Sequence, residues 1–227
     1  MEKMLNNKIF RSILSVVVIA SMFFVPSAIN EALGLIGLRN DNISHILSLM
    51  MFLLVLVLIY FSEFKKEFVI FKKNFKKCLD SGFKYWMLGF FIMICSNIVI
   101  NFLIMGGNIA ANEEMNRQAI MSNPLWYTIL SIVLIAPLLE ETIFRKSLDK
   151  IFNKPIYYCV ISGLLFGFAH VMADLSSVLN LLYLIPYGGL GFCLAKMDVE
   201  TETTFTSILF HSLHNLLTLL ALLLVVL

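Results

Sequence analysis

The sequence predicts an all-α protein, a polytopic transmembrane helical bundle of about seven spans, with six to eight as the range. Of its 227 residues, 59% are apolar and only 14% are charged. A bundle surrounded by lipid needs little surface charge, whereas a soluble domain of this length needs much more. Apolar windows long enough to cross about 30 Å of hydrocarbon recur along the whole chain. The loops between them are too short for a second domain, so residues 1–227 are expected to form one integral membrane domain.

The predicted spans follow one another in seven windows. Their approximate ranges are 9–29, 43–61, 86–105, 125–145, 156–173, 177–195 and 204–227. The first window has no small-residue cleavage site at its end, so we expect a retained helix and not a removed signal peptide. The stretch Pro186-Tyr187-Gly188-Gly189 can break the sixth span into two pieces.

Most basic residues are predicted to lie on one side of the membrane. With the N-terminus inside, 15 of the 17 lysines and arginines fall on the cytoplasmic face, and only Arg39 and Arg117 fall outside. The positive-inside rule therefore predicts a multi-pass cell-membrane protein with a cytoplasmic N-terminus. The lysine-rich stretch EFKKEFVIFKKNFKK fits two interpretations equally, a helix on an anionic leaflet or a solvated loop.

Two classes of function are excluded by composition. The net charge of +2 comes from residues sorted by membrane side and not from a phosphate-binding face, which argues against nucleic-acid binding. The four cysteines have no C-x-x-C spacing and are expected to be packing residues rather than metal or redox groups. They are Cys78, Cys95, Cys159 and Cys193.

Ionisable groups inside the spans are the candidates for function, because a bilayer makes each of them costly. Span four carries Glu140, Glu141 and Arg145, span five carries His170, and span seven carries His211, His214 and Asn215. Asn153-Lys154-Pro155 predicts the turn between spans four and five. Glu140 lies 15 residues before Pro155 and His170 lies 15 after it, so an antiparallel hairpin places both at one height. His211 reaches a similar depth if span seven starts near Thr204.

The two glutamates are expected to have different roles, Glu141 a structural one and Glu140 a reactive one. Glu141 and Arg145 share a helix face and are predicted to form a structural ion pair. Glu140 is turned about 100° from Glu141 and is free to face His170 and His211. A carboxylate, two histidines and the Asn215 amide suit the activation of water for attack on a peptide bond.

The residues leave the metal question open. One alternative is a zinc ion held by His170 and His211 with Glu140 or Asn215, and the other is a metal-free water activated by the carboxylate. The spacing is not H-E-x-x-H. For His214, a hydrogen bond between helices and a functional role are equally favoured.

Three motifs carry a family resemblance. Glu140 to Arg145 matches E-E-x-x-x-R, Phe166 to His170 matches F-x-x-x-H, and His211 to Asn215 matches H-x-x-x-N. In this order, on successive helices, they resemble the CAAX protease and bacteriocin-processing family of intramembrane proteases, also called the Abi family. The resemblance covers residues from about 125 to 220, the expected catalytic core between spans four, five and seven.

The resemblance implies an intramembrane endopeptidase. Glu140 would be the catalytic carboxylate, supported by Glu141 and Arg145, and His170, His211 and Asn215 would complete the site. Family members have been described both as metalloproteases and as metal-free glutamate enzymes. The composition suggests a bacterial member, whose substrate would be a peptide precursor or a membrane-associated protein. The alternative is a non-enzymatic immunity or scaffold protein that binds a bacteriocin or a signalling partner.

Overall fold

The structure is a computed structural model that describes residues 2–38, 41–107, 109–172 and 174–226. Arg39, one of the two basic residues assigned to the outer side, lies outside these ranges. Within them the chain forms helices and no strand, which confirms the predicted all-α class. After a short turn at Glu2–Leu5 the helices are α1 (Lys8–Ser21), α2 (Val25–Leu35), α3 (Asp41–Lys73), α4 (Phe75–Ile98), α5 (Ala111–Ser122), α6 (Leu125–Lys146), α7 (Pro155–Val171), α8 (Leu184–Thr201) and α9 (Thr204–Val226).

Five of these helices, counted over the described residues, are long and apolar enough to cross a membrane. They are α3, α4, α6, α8 with its preceding 3-10 turn, and α9. The pair α1 and α2 brings the number to six if it counts as one span, while α7 is apolar but shorter. Each of the seven predicted windows therefore corresponds to a helix or helix pair, and the count of seven crossings stays a prediction.

Three local expectations are changed by the structure. The window 9–29 is not one straight span, because α1 and α2 meet at an angle of 52° where Pro26 opens α2. The lysine-rich stretch is not a loop: α3 continues through it to Lys73, and α4 begins at Phe75. Pro186 does not break the sixth helix, since it lies in the first turn of α8, where proline disrupts little.

The hairpin that brackets the site is more irregular than the sequence indicates. Helix α7 begins at Pro155 as predicted. Helix α6, however, ends at Lys146, and residues 147–151 form turns with Lys150 in the left-handed region at φ 64°. Within these turns, Asp149 N–H is bonded to Arg145 O at 3.0 Å.

Helices α7 and α8 pack backbone to backbone through glycines. A Cβ atom on Gly163 would lie 2.7 Å from Gly188 O, and one on Gly167 would lie 2.8 Å from Gly188 N. Small residues allow this close approach between helices in a bilayer. The contact fixes α7, which carries His170, against α8.

A buried cluster of charges joins α1, α3 and α6 at the end of the bundle that we call the basic end, where α3 and α6 finish and α7 starts. Arg11 is fully buried and bonds both carboxylate oxygens of Glu63, at 2.9 and 3.0 Å. It also donates to Lys146 O at 2.6 Å, and Lys146 Nζ pairs with Glu67 and with Asp149. Arg11 and Lys146, two of the basic residues predicted to lie on the cytoplasmic face, are thus buried and paired with carboxylates.

Replacing Gly163 by alanine tests the glycine contact. The new methyl group would collide with backbone atoms of α8 that cannot rotate away, so we expect a loss of about 1–3 kcal/mol of stability. Thermal unfolding in detergent micelles measures it. Gly34→Ala is the matched control, because a Cβ atom added there would meet no described heavy atom within 4 Å outside its own helix backbone. A Gly163→Ala protein that melts with the Gly34→Ala protein would contradict the packing role.

Candidate active site

The helix that carries both glutamates is held by an amide from α9. Within α6, the residues Ile129–Ile135 form a π-helical segment, with Ala136 N–H bonded to Ser131 O. Pro137, five residues after Ile132, has no N–H to offer the Ile132 carbonyl. Asn215 Nδ2 donates to that carbonyl at 2.9 Å. The Asn215 amide thus replaces the hydrogen bond that Pro137 cannot donate, and it ties α9 to α6 at this height.

Glu141 forms the centre of a fully buried charge array. Its Oε2 lies 3.0 Å from Arg145 Nε, and neither side chain is exposed. Its Oε1 lies 2.8 Å from His211 Nδ1. The predicted ion pair between Glu141 and Arg145 is therefore present, and the same carboxylate also orients His211, which the sequence did not indicate.

Arg145 extends this array toward α7 and α8. Its Nη2 donates to Gly191 O at 3.2 Å, and its guanidinium lies over the Phe166 ring, 4.6 Å from the centroid. Phe166 in turn contacts His170, with ring centroids 4.4 Å apart. Arg145 thus contacts both the buried Glu141 carboxylate and Phe166, whose ring contacts His170.

His170 is held in one orientation from three directions. Its Nδ1 lies 2.9 Å from Phe166 O, one turn earlier in α7. Tyr187 of α8 stacks on the imidazole, with centroids 4.9 Å apart and the ring planes 25° from parallel. The rings of Phe166 and Tyr187 therefore both contact the imidazole.

Both histidines present the same nitrogen to Glu140. A carbonyl oxygen and a carboxylate only accept, so the Nδ1 atoms of His170 and His211 carry the hydrogen in these two bonds. The Nε2 atoms are then directed away from their anchors. Glu140 Oε2 lies 3.8 Å from His170 Nε2 and 3.9 Å from His211 Nε2.

Glu140 is the one carboxylate of the pair that faces open space. Its side chain is 22% exposed, whereas that of Glu141 is 0% exposed. Its Oε2 atom is buried and has no hydrogen-bond partner among the described residues. The separations of 3.8 and 3.9 Å are too long for direct hydrogen bonds and suit a small group placed between the three atoms.

The remaining predicted residues have different positions. Asn215 lies one helical turn from His211, but its Nδ2 is used by Ile132 O. His214 is buried, packs edge-on against Phe90 with centroids 6.0 Å apart, and its Nδ1 has no hydrogen-bond partner within the described ranges. The helix-to-helix hydrogen bond considered for His214 is therefore not formed through Nδ1.

The candidate site contains potential metal ligands. Two imidazole nitrogens and a carboxylate oxygen are the donor types that zinc prefers, and each histidine has an anchored Nδ1, as zinc ligands usually do. In the parts of the chain that the structure describes, however, no group of three or more His, Cys, Asp or Glu is spaced to hold a metal ion. The chemistry of the donors fits zinc and their spacing does not.

Helix architecture and site together define a class, a helical membrane protein in which carboxylates and histidines from three helices meet. Residues 122–217 match the family model described as type II CAAX prenyl endopeptidase Rce1-like. The protein YbdI of Lactococcus lactis (strain IL1403), a UPF0177 protein, is 30% identical over 127 residues, which are 53% of this chain and 68% of YbdI. The chain belongs to the CAAX protease and bacteriocin-processing family, as its three motifs predict.

Two further relatives match over less of their own length. The Bacillus subtilis (strain 168) protein named "Putative membrane peptidase YdiL" is 28% identical over 169 residues, 71% of this chain and 64% of YdiL. The L. lactis UPF0177 protein YajF is 42% identical over 60 residues, 26% of this chain and 30% of YajF. The chain thus spans less than two thirds of these two relatives. No solved structure matches it.

Removing Arg145 tests the buried array. Arg145→Met leaves the Glu141 carboxylate buried beside His211 alone, and we expect a loss of about 3–5 kcal/mol. The double variant Glu141→Gln with Arg145→Met removes both charges and should recover much of that loss. Thermal unfolding of the wild type, both single variants and the double variant gives the coupling energy. Additive single effects would show that the two side chains do not stabilise one another.

Proposed function

We propose that the chain is an intramembrane endopeptidase that hydrolyses a peptide bond of a membrane-associated or small peptide-precursor substrate. The observation that carries the proposal is the position of Glu140 Oε2, 3.8 Å from His170 Nε2 and 3.9 Å from His211 Nε2. Family membership supports a protease in general. The site supports hydrolysis because a partly exposed carboxylate faces two oriented imidazoles.

The reaction begins with a water molecule between these three atoms. Glu140 accepts a proton from the water while the water oxygen forms a bond to the carbonyl carbon of the peptide. The carbonyl oxygen gains negative charge in the tetrahedral intermediate. The C–N bond then breaks as the proton passes from Glu140 to the leaving nitrogen, which gives one new carboxyl and one new amino terminus.

His211 and His170 have separate duties in this proposal. The Glu141 carboxylate, 2.8 Å from Nδ1, stabilises a positive charge on the His211 ring, so that Nε2 can carry a hydrogen toward the oxyanion. His170, in contact with the rings of Phe166 and Tyr187, positions the water from the other side. Asn215 keeps α9 in register through Ile132, which maintains His211 beside Glu141.

The predicted setting of the enzyme follows from its charges. The positive-inside rule predicts a cytoplasmic basic end and N-terminus in the bacterial cell membrane. A bacteriocin precursor or a membrane-bound signalling protein is a substrate or partner consistent with the family.

Glu140→Gln is the central test. The amide keeps the shape but cannot accept a proton, so we expect turnover to fall by about 10²–10⁴-fold. The measurement is mass spectrometry of a peptide-precursor library incubated with protein in vesicles made in H₂¹⁸O, where hydrolysis places one ¹⁸O in each new carboxyl terminus. Glu31→Gln is the matched control, because Glu31 is exposed on α2, a helix that carries none of the candidate site residues.

The same variants distinguish hydrolysis from binding alone. If Glu140→Gln folds and retains wild-type cleavage, the mechanism is wrong. If no cleavage occurs in the wild type and Glu140→Gln keeps a protective or regulatory phenotype in cells, the protein acts as a binding partner.

Metal content is a separate prediction. If zinc takes part, His170, His211 and Glu140 would hold it, and it would acidify the water that attacks. Because the three donors are not spaced as metal ligands, we expect well below one equivalent of zinc by elemental analysis of protein purified without chelator. One equivalent that is lost in His170→Ala would instead assign activation to the metal.

A further inference from the structure

Helices α3 and α4 meet at a lysine-rich bend that we call the elbow, residues 65–83. Helix α3 ends at Lys73 and α4 begins at Phe75, so Asn74 alone separates them. Both helices are long and apolar enough to cross a membrane. When two consecutive spans are joined by one residue, their junction lies at a membrane surface. The elbow therefore lies at the boundary between lipid and water.

The two helices are longer than the hydrocarbon that they would cross. At about 1.5 Å per residue, the 33 residues of α3 are about 50 Å long, and the 30 residues from 75 to 104 are about 45 Å long. The hydrocarbon core is about 30 Å thick. Part of the surplus lies at the elbow, because its lysines are costly to place in hydrocarbon. The elbow is therefore at the level of the phospholipid headgroups.

Aromatic packing gives the elbow a defined shape. Three phenylalanines of α3 contact Phe205 in the first turn of α9, with ring centroids 5.5 to 6.0 Å apart: Phe64, Phe68 and Phe71. Across the bend, Phe71 contacts Phe75 edge to face, with centroids 5.4 Å apart. The bend is therefore packed against the start of α9 and presents a built surface, not a solvated loop.

The elbow carries positive charge without carboxylate partners. Five of its lysines are exposed, and none of the five forms an ion pair with a described residue: Lys65, Lys72, Lys73, Lys76 and Lys77. We call these five the elbow lysines. By contrast, the nearby Lys146 and Lys150 are paired with Glu67 and Glu63. The charge of the elbow lysines is thus left for a partner outside the described chain.

Exposed apolar side chains lie between the elbow lysines. Phe75, Leu79 and Phe83, at i, i+4 and i+8 along one side of α4, are 47%, 38% and 57% exposed. Val69 of α3 is 62% exposed. Water or a soluble acidic partner would satisfy the lysines and leave these side chains wet. A membrane boundary supplies phosphates for the lysines and acyl chains for the apolar groups.

We propose that the elbow binds anionic phospholipids of the leaflet at the basic end. The ammonium groups of the elbow lysines contact the lipid phosphates, and the exposed apolar side chains lie among the upper parts of the acyl chains. Anionic lipid is preferred because its charge is opposite to that of the elbow. A zwitterionic headgroup carries its own positive charge and gains less from these lysines. This binding does not depend on whether the protein cleaves peptides.

Quenching of a single tryptophan by brominated lipid measures which lipid occupies the elbow. The reporter combines Phe83→Trp with Trp86→Phe and Trp126→Phe, which removes both native tryptophans. The matched control is Trp86→Phe alone, which leaves Trp126, 47% exposed in the first turn of α6 at the opposite end of the bundle. Each protein is placed in phosphatidylcholine vesicles that contain brominated phosphatidylglycerol or brominated phosphatidylcholine. We expect phosphatidylglycerol to be preferred at least about 3-fold at the reporter and not at the control.

Charge variants test the elbow lysines themselves. Four substitutions are combined in the reporter, Lys72→Gln, Lys73→Gln, Lys76→Gln and Lys77→Gln, and a second protein carries arginine at the same four positions. We expect the glutamine protein to lose the preference and the arginine protein to keep it, because arginine retains the charge. Equal quenching by the two lipids in the reporter with native lysines would overturn the proposal. A preference that survives the four glutamines would overturn it as well.

Native mass spectrometry gives a second measurement on the chain with both native tryptophans, should the reporter not fold. The wild type in detergent with equal amounts of the two lipids should retain phosphatidylglycerol in at least about 3-fold excess. The protein with the four glutamines should retain both lipids equally. Equal retention by the wild type would overturn the proposal and leave the elbow lysines to water or to a soluble acidic partner.

Discussion

The buried carboxylate of Glu141 is the constraint on which the site depends. A fully buried carboxylate needs a partner of opposite charge or a hydrogen-bond donor, because its desolvation alone costs several kcal/mol. Arg145 Nε lies 3.0 Å from one oxygen in an ion pair within α6, and His211 Nδ1 of α9 lies 2.8 Å from the other. The requirement to pair this charge therefore decides how α6 and α9 meet. The same contact sets the distance of 3.9 Å between His211 Nε2 and Glu140.

The adjacency of the two glutamates leaves one of them buried and the other partly exposed. Neighbouring positions of a helix point about 100° apart, so Glu141 can face the interior while Glu140 remains 22% exposed. Arg145 spreads the effect further, since its guanidinium lies over Phe166, which contacts His170. One ion pair thus orients side chains from α6, α7 and α9 around a single point.

The sequence was sufficient for the features that depend on local pattern. Apolar windows predicted the helices, Asn153 to Pro155 predicted the turn before α7, and helix periodicity predicted the pairing of Glu141 with Arg145. It was insufficient where partners lie far apart in the chain. Arg11 was counted among the cytoplasmic basic residues, and nothing near it in the chain indicates its partner Glu63, 52 residues away. The bond between Glu141 and His211 could not be predicted for the same reason, since the two residues are 70 positions apart. Helix α5 was missed because it is polar and short.

The end of α6 couples the site to the basic end. Arg145 and Lys146 are neighbours and point in different directions for the same reason as the two glutamates. Arg145 binds Glu141 in the site, while Lys146 binds Glu67 and Asp149 in the buried cluster. Arg11 adds a bond to the Lys146 carbonyl and so ties α1 to this turn. Glu67 also accepts the Thr204 N–H at 2.9 Å, which fixes the start of α9, the helix that carries His211. Helices α6 and α9 are therefore anchored to one charge cluster, so a displacement of α3 or α1 at the basic end would move His211 and Glu140 relative to each other.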